Sequence, residues 1–380
     1  MDPTPTILNA TRGTRRPPEI GAEPGTGSRG FVSVVLVMAL LVVSVVGAFN
    51  GILDPFGTLG THLFPTVIES DQGLKVQLAD RLPLAPQLII LGSSRAMKAQ
   101  PSYLRSRLDL PGFNAAVSNA MPWDSWAFAN FLHDRFPGTR QRYLWFVDVE
   151  SFRALPIDSA LLNVPVLSQY LSSGLRAKTR LAGLAALLSW ATATDSWRVL
   201  NAELSGAVAR QRQESAAASV RGTTAFGSSV FTADGFRLVD YHDRARAHGL
   251  TLAKALPGTI AEYVGIYKGY KHLDPRAVSF FERTIKRMNA WGATPVVVLT
   301  PYQPRLLTAL KRVGWNARHR QVLAYLHLLQ ERYRFVVLDM STVASFGGNP
   351  DGFYDGVHML VPNMQRLLTA VLARSGVALR

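Results

Sequence analysis

The chain has no cysteine, which excludes disulfides, thiolate metal sites and a cysteine nucleophile. Lysine is scarce as well: of 41 basic residues 8 are lysine and 33 arginine, and against 26 acidic residues they give a formal charge of +15. Such an excess suits acidic partners, anionic headgroups or an acidic polysaccharide among them. No nucleic-acid motif accompanies it and the arginines are scattered, so nucleic acid is not an expected partner and a solvated surface is the plainer account of the charge. Metal-ligand spacing such as His-x-x-x-His is also missing, so neither a metal nor a cofactor is expected.

Long apolar runs are absent with one exception. Phe31 to Phe49 carries no charge over 19 residues, which at about 1.5 Å per residue reaches about 29 Å, close to the hydrocarbon thickness of a bilayer. Residues 1–30, rich in Pro, Gly and Thr and bearing Arg12, Arg15, Arg16 and Arg29, are expected to form a disordered cytoplasmic tail. No Lys or Arg occurs between Asn50 and Leu74, so the charge asymmetry keeps the N-terminus in the cytoplasm and exports the chain beyond Asn50, to the periplasm or the cell exterior. Val46-Gly47-Ala48 resembles a signal-peptidase site, but the apolar run exceeds the usual core of about 7–15 residues. Residues 31–49 are therefore expected to be a retained, single-pass anchor in the inner (plasma) membrane, leading into a stalk over 50–86.

Beyond the stalk, short apolar runs alternate with amphipathic segments. Strands are predicted at Leu88–Leu91, Gly112–Val117, Tyr143–Val149, Thr294–Thr300 and Phe335–Met340. Continuous apolar strands separated by helices imply an α/β fold, a flavodoxin-like three-layer parallel sheet. Helices are predicted at Pro275–Trp291, with Val278, Phe281, Ile285 and Met288 facing the core, at Gln321–Tyr333, with Val322, Tyr325, Leu328 and Leu329, and at Pro362–Leu372. The main domain then spans 87–375. Residues 156–274 read as an insertion over the mouth of the sheet, half helical (Leu175–Leu204) and half rich in Gly, Ser and Thr (Gly222–Gly235).

The stretch "LIILGSSRAMKA" ends a buried strand on Gly92, Ser93 and Ser94. Helix N-terminal amides there would favour a developing negative charge, as a nucleophilic serine needs, and a plain helix N-cap needs the same residues. A serine also needs a base. His62 falls in the stalk; His133, His242, His248 and His272 fall in polar or inserted segments; His319 and His327 fit a helical pattern. His358 differs, because in "FYDGVHML" Asp355 lies three residues before it and can orient its ring from within one turn. A loop capped by Asp355 is the competing account.

Together the two signals resemble the SGNH/GDSL hydrolase superfamily, over most of residues 85–375 with the insertion left out. The resemblance implies Ser94 as nucleophile, His358 as general base and Asp355 as its orienting partner. "FNAAVSNA" is similar to the family's second block, with Asn114 and Ser118 matching while Ala116 and Asn119 stand in for glycines. Backbone amides of Arg95, Ala116 and Asn119 are the oxyanion donors so implied. The third block is not recognisable: "VDVESF" puts Asp148 and Glu150 where an asparagine donor belongs, and a carboxylate would repel an oxyanion. These departures resemble the membrane-anchored branch that acts on exported polysaccharides. The expectation is a serine acyl-transfer enzyme, O-acyltransferase or esterase, whose partners are an acyl ester, a cell-envelope polysaccharide, the lipid bilayer through 31–49 and, for a transferase, a polytopic membrane protein that delivers the acyl group. A non-catalytic glycan-binding or assembly protein on a decayed fold of the same kind is the alternative.

Overall fold

The apolar tetrad Leu88–Leu91 forms β1, buried at every residue. The computed structural model describes residues 26–55, 59, 63–64, 70–157, 159–205, 219–224 and 227–379. The further strands are β2 (Gly112–Asn114), β3 (Arg142–Val147), β4 (Ser219–Thr224), β5 (Gly227–Thr232), β6 (Arg237–Val239), β7 (Val296–Leu299) and β8 (Val336–Asp339). Five of them make a parallel sheet in the order β2-β1-β3-β7-β8. With the inserted strands set aside this is the doubly wound order 2-1-3-4-5, whose switch point lies between β1 and β3. β1 and β7 are buried throughout because both faces of the sheet are covered, whereas the edge strand β8 is half-buried to exposed along its whole length.

The helices are α1 (Thr26–Leu53), α2 (Asp71–Asp80), α3 (Pro101–Leu108), α4 (Pro122–Arg135), α5 (Ser159–Leu162), α6 (Pro165–Ser168), α7 (Ser173–Leu187), α8 (Trp190–Leu204), α9 (Tyr241–Ala247), α10 (Leu252–Gly269), α11 (Pro275–Ala290), α12 (Pro304–Lys311), α13 (Trp315–Gln330) and α14 (Val361–Arg374). Asp274 caps α11 by accepting from the Arg276 amide at 2.8 Å, and the proline at the first position needs no such acceptor. Its buried stripe is centred on Ala277, Phe281, Ile285 and Met288, with Val278 at the half-buried margin. In α13 the core side is Trp315, Val322, Leu326 and Leu329; Leu328, predicted inside, is exposed, because a full turn from Val322 falls on Leu326 and Leu329.

Three segments differ from the sequence reading. The apolar helix is longer than 31–49 and runs without a break through Asn50 to Leu53; residues 1–25 lie outside the described ones. Within the expected stalk, α2 is part of the domain, with Leu74 and Lys75 wholly buried. Lys75 Nζ donates to Asn114 O at 2.7 Å and to Gly235 O, and burial lowers its pKa to about 7 against the pull of Asp71. Third, the Gly/Ser/Thr-rich half of the insertion is ordered where described, as an antiparallel sheet β4-β5-β6.

Candidate active site

Gly92 has φ +145°, and a Cβ there would fall 2.8 Å from the carbonyl oxygen of Phe146 on β3. Only glycine lets the chain turn this close to its neighbour strand. The two hydroxyls after it divide the competing roles. Ser93 caps a single 3₁₀ turn, Ser94–Ala96, accepting from the Arg95 amide at 3.3 Å. Ser94 is left to face the last loop, where its Oγ lies 2.8 Å from His358 Nε2.

That loop is organised by Asp355. Oδ1 accepts the backbone amides of Gly356, Val357 and His358, the latter two at 2.9 Å, and Oδ2 lies 2.7 Å from His358 Nδ1. With Nδ1–H donating to the carboxylate, Nε2 carries the lone pair and accepts the Ser94 hydroxyl proton. Burial opposes the charge of Asp355, but His358, His242 and the loop amides outweigh it and hold its carboxyl well below the usual range.

A second histidine shares this carboxylate. His242, on α9 of the insertion, places Nε2 3.2 Å from Asp355 Oδ2, and its ring centre is 4.4 Å from that of His358. Its other nitrogen faces Asp240 at 3.5 Å. Burial works against a positive ring, yet the hydrogen bonds to Asp240 and Asp355 raise its pKa above the ordinary histidine value. Its place in the insertion hides His242 from sequence reasoning; Asp240, which also caps α9, was the available signal. His242, Asp355 and His358 are the group among the described residues that could hold a metal ion, with ligand atoms within 4.8 Å of one another. Those atoms already meet at hydrogen-bond distance, so a cation would have to displace both contacts. The other histidines that the structure describes pack elsewhere: His133 stacks on Trp291 and His319 on Trp315, while His248, His272 and His327 are exposed. His62 lies outside the described residues.

The two carboxylates read as repulsive line the cleft with Ser94. They do not face the site as free charges. The buried Arg95 guanidinium pairs with Glu150 through Nη2, lies 3.5 Å from Asp148 through Nη1, and donates to Thr300 Oγ1 at 2.9 Å. Thr300 donates its own proton to Asp148 at 2.5 Å, and Tyr302 and Tyr267 both donate to Glu150. Burial opposes the Arg95 charge, but Asp148 and Glu150 overcome it and push its pKa up. The Arg95 ring neighbours are Tyr302 at 4.6 Å and Tyr263 at 5.3 Å from the guanidinium carbon.

Of the three backbone amides expected to face an oxyanion, two already have partners inside the protein. The Ala116 amide is already taken by Asn114 Oδ1 at 2.9 Å, so it has no free proton to offer. The Arg95 amide points to Ser93 Oγ. Asn119 has φ +53°, the left-handed conformation that a glycine adopts readily; it lines the cleft beside Ser94, and its amide has no partner among the described residues. Asn114 is structural: its Nδ2 donates to Ala96 O at 2.9 Å and Ala99 O at 2.8 Å, tying the Ser94 turn to the Asn119 loop. That loop is gripped from below by an ion pair the sequence did not reveal. Asp71 of α2 accepts from the Ser118 amide at 3.0 Å and from Arg237 Nη2 at 2.9 Å, and Arg237 also reaches Ser118 Oγ at 3.3 Å.

The cleft itself is small, about 60 Å³, and polar, lined by Ser94, Arg95, Asn119, Asp148, Glu150 and Tyr263 among others. The chain matches no protein-family model and no curated protein sequence.

Proposed function

We propose that the exported domain is a serine-dependent acyl-transfer enzyme of the SGNH/GDSL type, anchored by α1 with its N-terminus in the cytoplasm and acting on short acyl esters of a cell-envelope or exported polysaccharide. The observation that carries this reading is the unbroken relay Ser94 Oγ, His358 Nε2, His358 Nδ1, Asp355 Oδ2, at 2.8 and 2.7 Å, set at the switch point of the sheet.

The contacts dictate the steps. Ser94 Oγ attacks the ester carbonyl as its proton moves to His358 Nε2. The tetrahedral oxyanion meets the Asn119 amide, a donor of the kind worth about 10²–10³ in rate. Collapse breaks the ester C–O bond, and the leaving alcohol takes the proton from His358. A sugar hydroxyl or water then gives its proton to the same nitrogen while attacking the acyl-serine, and Ser94 is regenerated. Asp355 holds the ring in one tautomer throughout. The formal charge of +15 suits an acidic glycan as acceptor.

A transferase needs an acyl group brought across the membrane, which one span does not provide, so that branch of the reading includes a polytopic donor protein. The locked Asp148–Arg95–Glu150 cluster, standing where an asparagine donor belongs, favours a second reading as a non-catalytic glycan-binding protein. Full-length protein in detergent, given an acetyl ester with and without a sugar acceptor, separates the readings. Ester turnover that disappears in Ser94→Ala supports the enzyme. Unaltered release in that variant, or none in the parent protein, removes it.

A further inference from the structure

From Gly30 to Val45 every residue of α1 is exposed; burial sets in at Val46, and Asn50 is wholly buried. What covers this end is the inserted α7–α8 hairpin. Asn50 Nδ2 donates to Leu187 O at 2.6 Å and to Ser189 O at 3.2 Å, and its Oδ1 accepts from Ser196 Oγ at 2.8 Å. One turn earlier, Gly47 lies so near the hairpin that a Cβ would fall 2.8 Å from Leu188 Cδ2.

Length then fixes the depth of that contact. The exposed stretch from Gly30 to Val45 is about 24 Å long, short of the roughly 30 Å of hydrocarbon that a spanning helix has to cross. Arg29 is the last charged residue before the run, so the far edge of the hydrocarbon falls near Asn50. Leu187, Leu188 and Ser189, which touch Gly47 and Asn50, sit at the same level. The hairpin also presents large apolar side chains to the outside: Leu181, Leu184, Leu188, Trp190, Trp197 and Leu204, with Trp190 and Leu204 each 76 % exposed. Water-facing surfaces rarely leave so many together, and tryptophan is enriched where lipid headgroups meet acyl chains.

We propose that the α7–α8 hairpin lies in the outer leaflet of the bilayer beside α1, with these six residues in the boundary between headgroups and acyl chains. The occupant is lipid, because the surface is continuous with the spanning helix and tied to it by hydrogen bonds. The domain is then fixed to the membrane by two elements, which sets its height and tilt as a single flexible tether would not. This inference rests on α1 crossing the bilayer and is independent of the chemistry at Ser94.

The absence of cysteine permits a direct test with single-cysteine variants carrying an environment-sensitive fluorophore. Leu188→Cys and Trp197→Cys report the hairpin, Val37→Cys the span, and Leu328→Cys, on α13, the aqueous face. Each full-length variant is reconstituted in phosphatidylcholine–phosphatidylglycerol vesicles and exposed to doxyl-labelled lipid, or to iodide on both sides of the bilayer. Probes at 188 and 197 are expected to lose emission to the doxyl lipid and to resist iodide, as the probe at 37 does, while the probe at 328 behaves oppositely. Iodide quenching at 188 and 197 with lipid quenching retained at 37 would overturn the proposal and leave the span standing. Protection of 188 and 197 from both quenchers would assign the surface to a protein and overturn it too. Loss of lipid quenching at 37 would remove the span and the proposal together.

Discussion

Two groups of carboxylates near Ser94 are handled in opposite ways. On one side Asp355 is shared by two imidazoles, His358 and His242. On the other, Asp148 and Glu150 are paired with the Arg95 guanidinium, which keeps its proton at any working pH, and are satisfied further by Thr300 and two tyrosines. In the proposed mechanism the first charge steers proton transfer, while the second pair is neutralised in place. A buried acid beside Ser94 is therefore not by itself a free charge; its partner decides.

Substitutions sharpen this contrast, the largest effect first. Ser94→Ala removes the proposed nucleophile, and kcat for an acetyl ester is expected to fall by about 10⁶, to the level given by binding and the proposed oxyanion donor alone. Asp355→Asn keeps the shape but allows the wrong tautomer of His358, for a loss of about 10⁴ in kcat with the fold retained by circular dichroism. On the silent side the expected effect is on stability. Arg95→Met leaves Asp148 and Glu150 buried without their cation, costing about 3–5 kcal/mol in denaturant unfolding, and adding Asp148→Asn and Glu150→Gln should restore much of it. If Arg95→Met instead unfolds like the parent protein, the two sides do not differ as described.

The smallest expected effect concerns His242→Gln. A histidine whose pKa is raised by folding stabilises the protein below its ordinary value of 6.5, and that contribution fades as pH climbs through the raised pKa. The parent protein should therefore exceed the variant by about 1 kcal/mol in mildly acidic buffer, with the gap closing toward alkaline pH. A gap that widens with pH would mean that the ring is held neutral rather than charged. Asp355, depressed by its partners, acts with the opposite sign: its contribution is complete above 3.8 and is lost as pH falls toward its lowered pKa.

Legible in the sequence was whatever local chemistry dictates. Leu88–Leu91 needed only its own four side chains to be a buried strand, Gly92 its own φ, and Asp355 reaches His358 within one turn. The features that escaped depend on distant partners. His242 meets Asp355 across 113 residues of sequence, and Arg237 meets Asp71 across 166, so neither spacing carries a signal. α2 was missed for the same reason: Lys75 is buried because Asn114 and Gly235 supply carbonyls, and an isolated lysine in a polar stretch reads as exposed. The free charge expected of Asp148 and Glu150 is not there because Arg95, directly after Ser94, pairs with them, a coincidence of two loops that the β1–β3 pairing brings together.

The most direct measurement is to trap the acyl group. Full-length protein is mixed with an acetyl ester, quenched in acid within the first turnovers, digested and examined by mass spectrometry. The acyl-transfer account predicts one acetyl group on the peptide bearing Ser94, in place on that hydroxyl, and none in His358→Ala. An adduct that forms as readily without His358, or turnover that never places acetyl on Ser94, would contradict it.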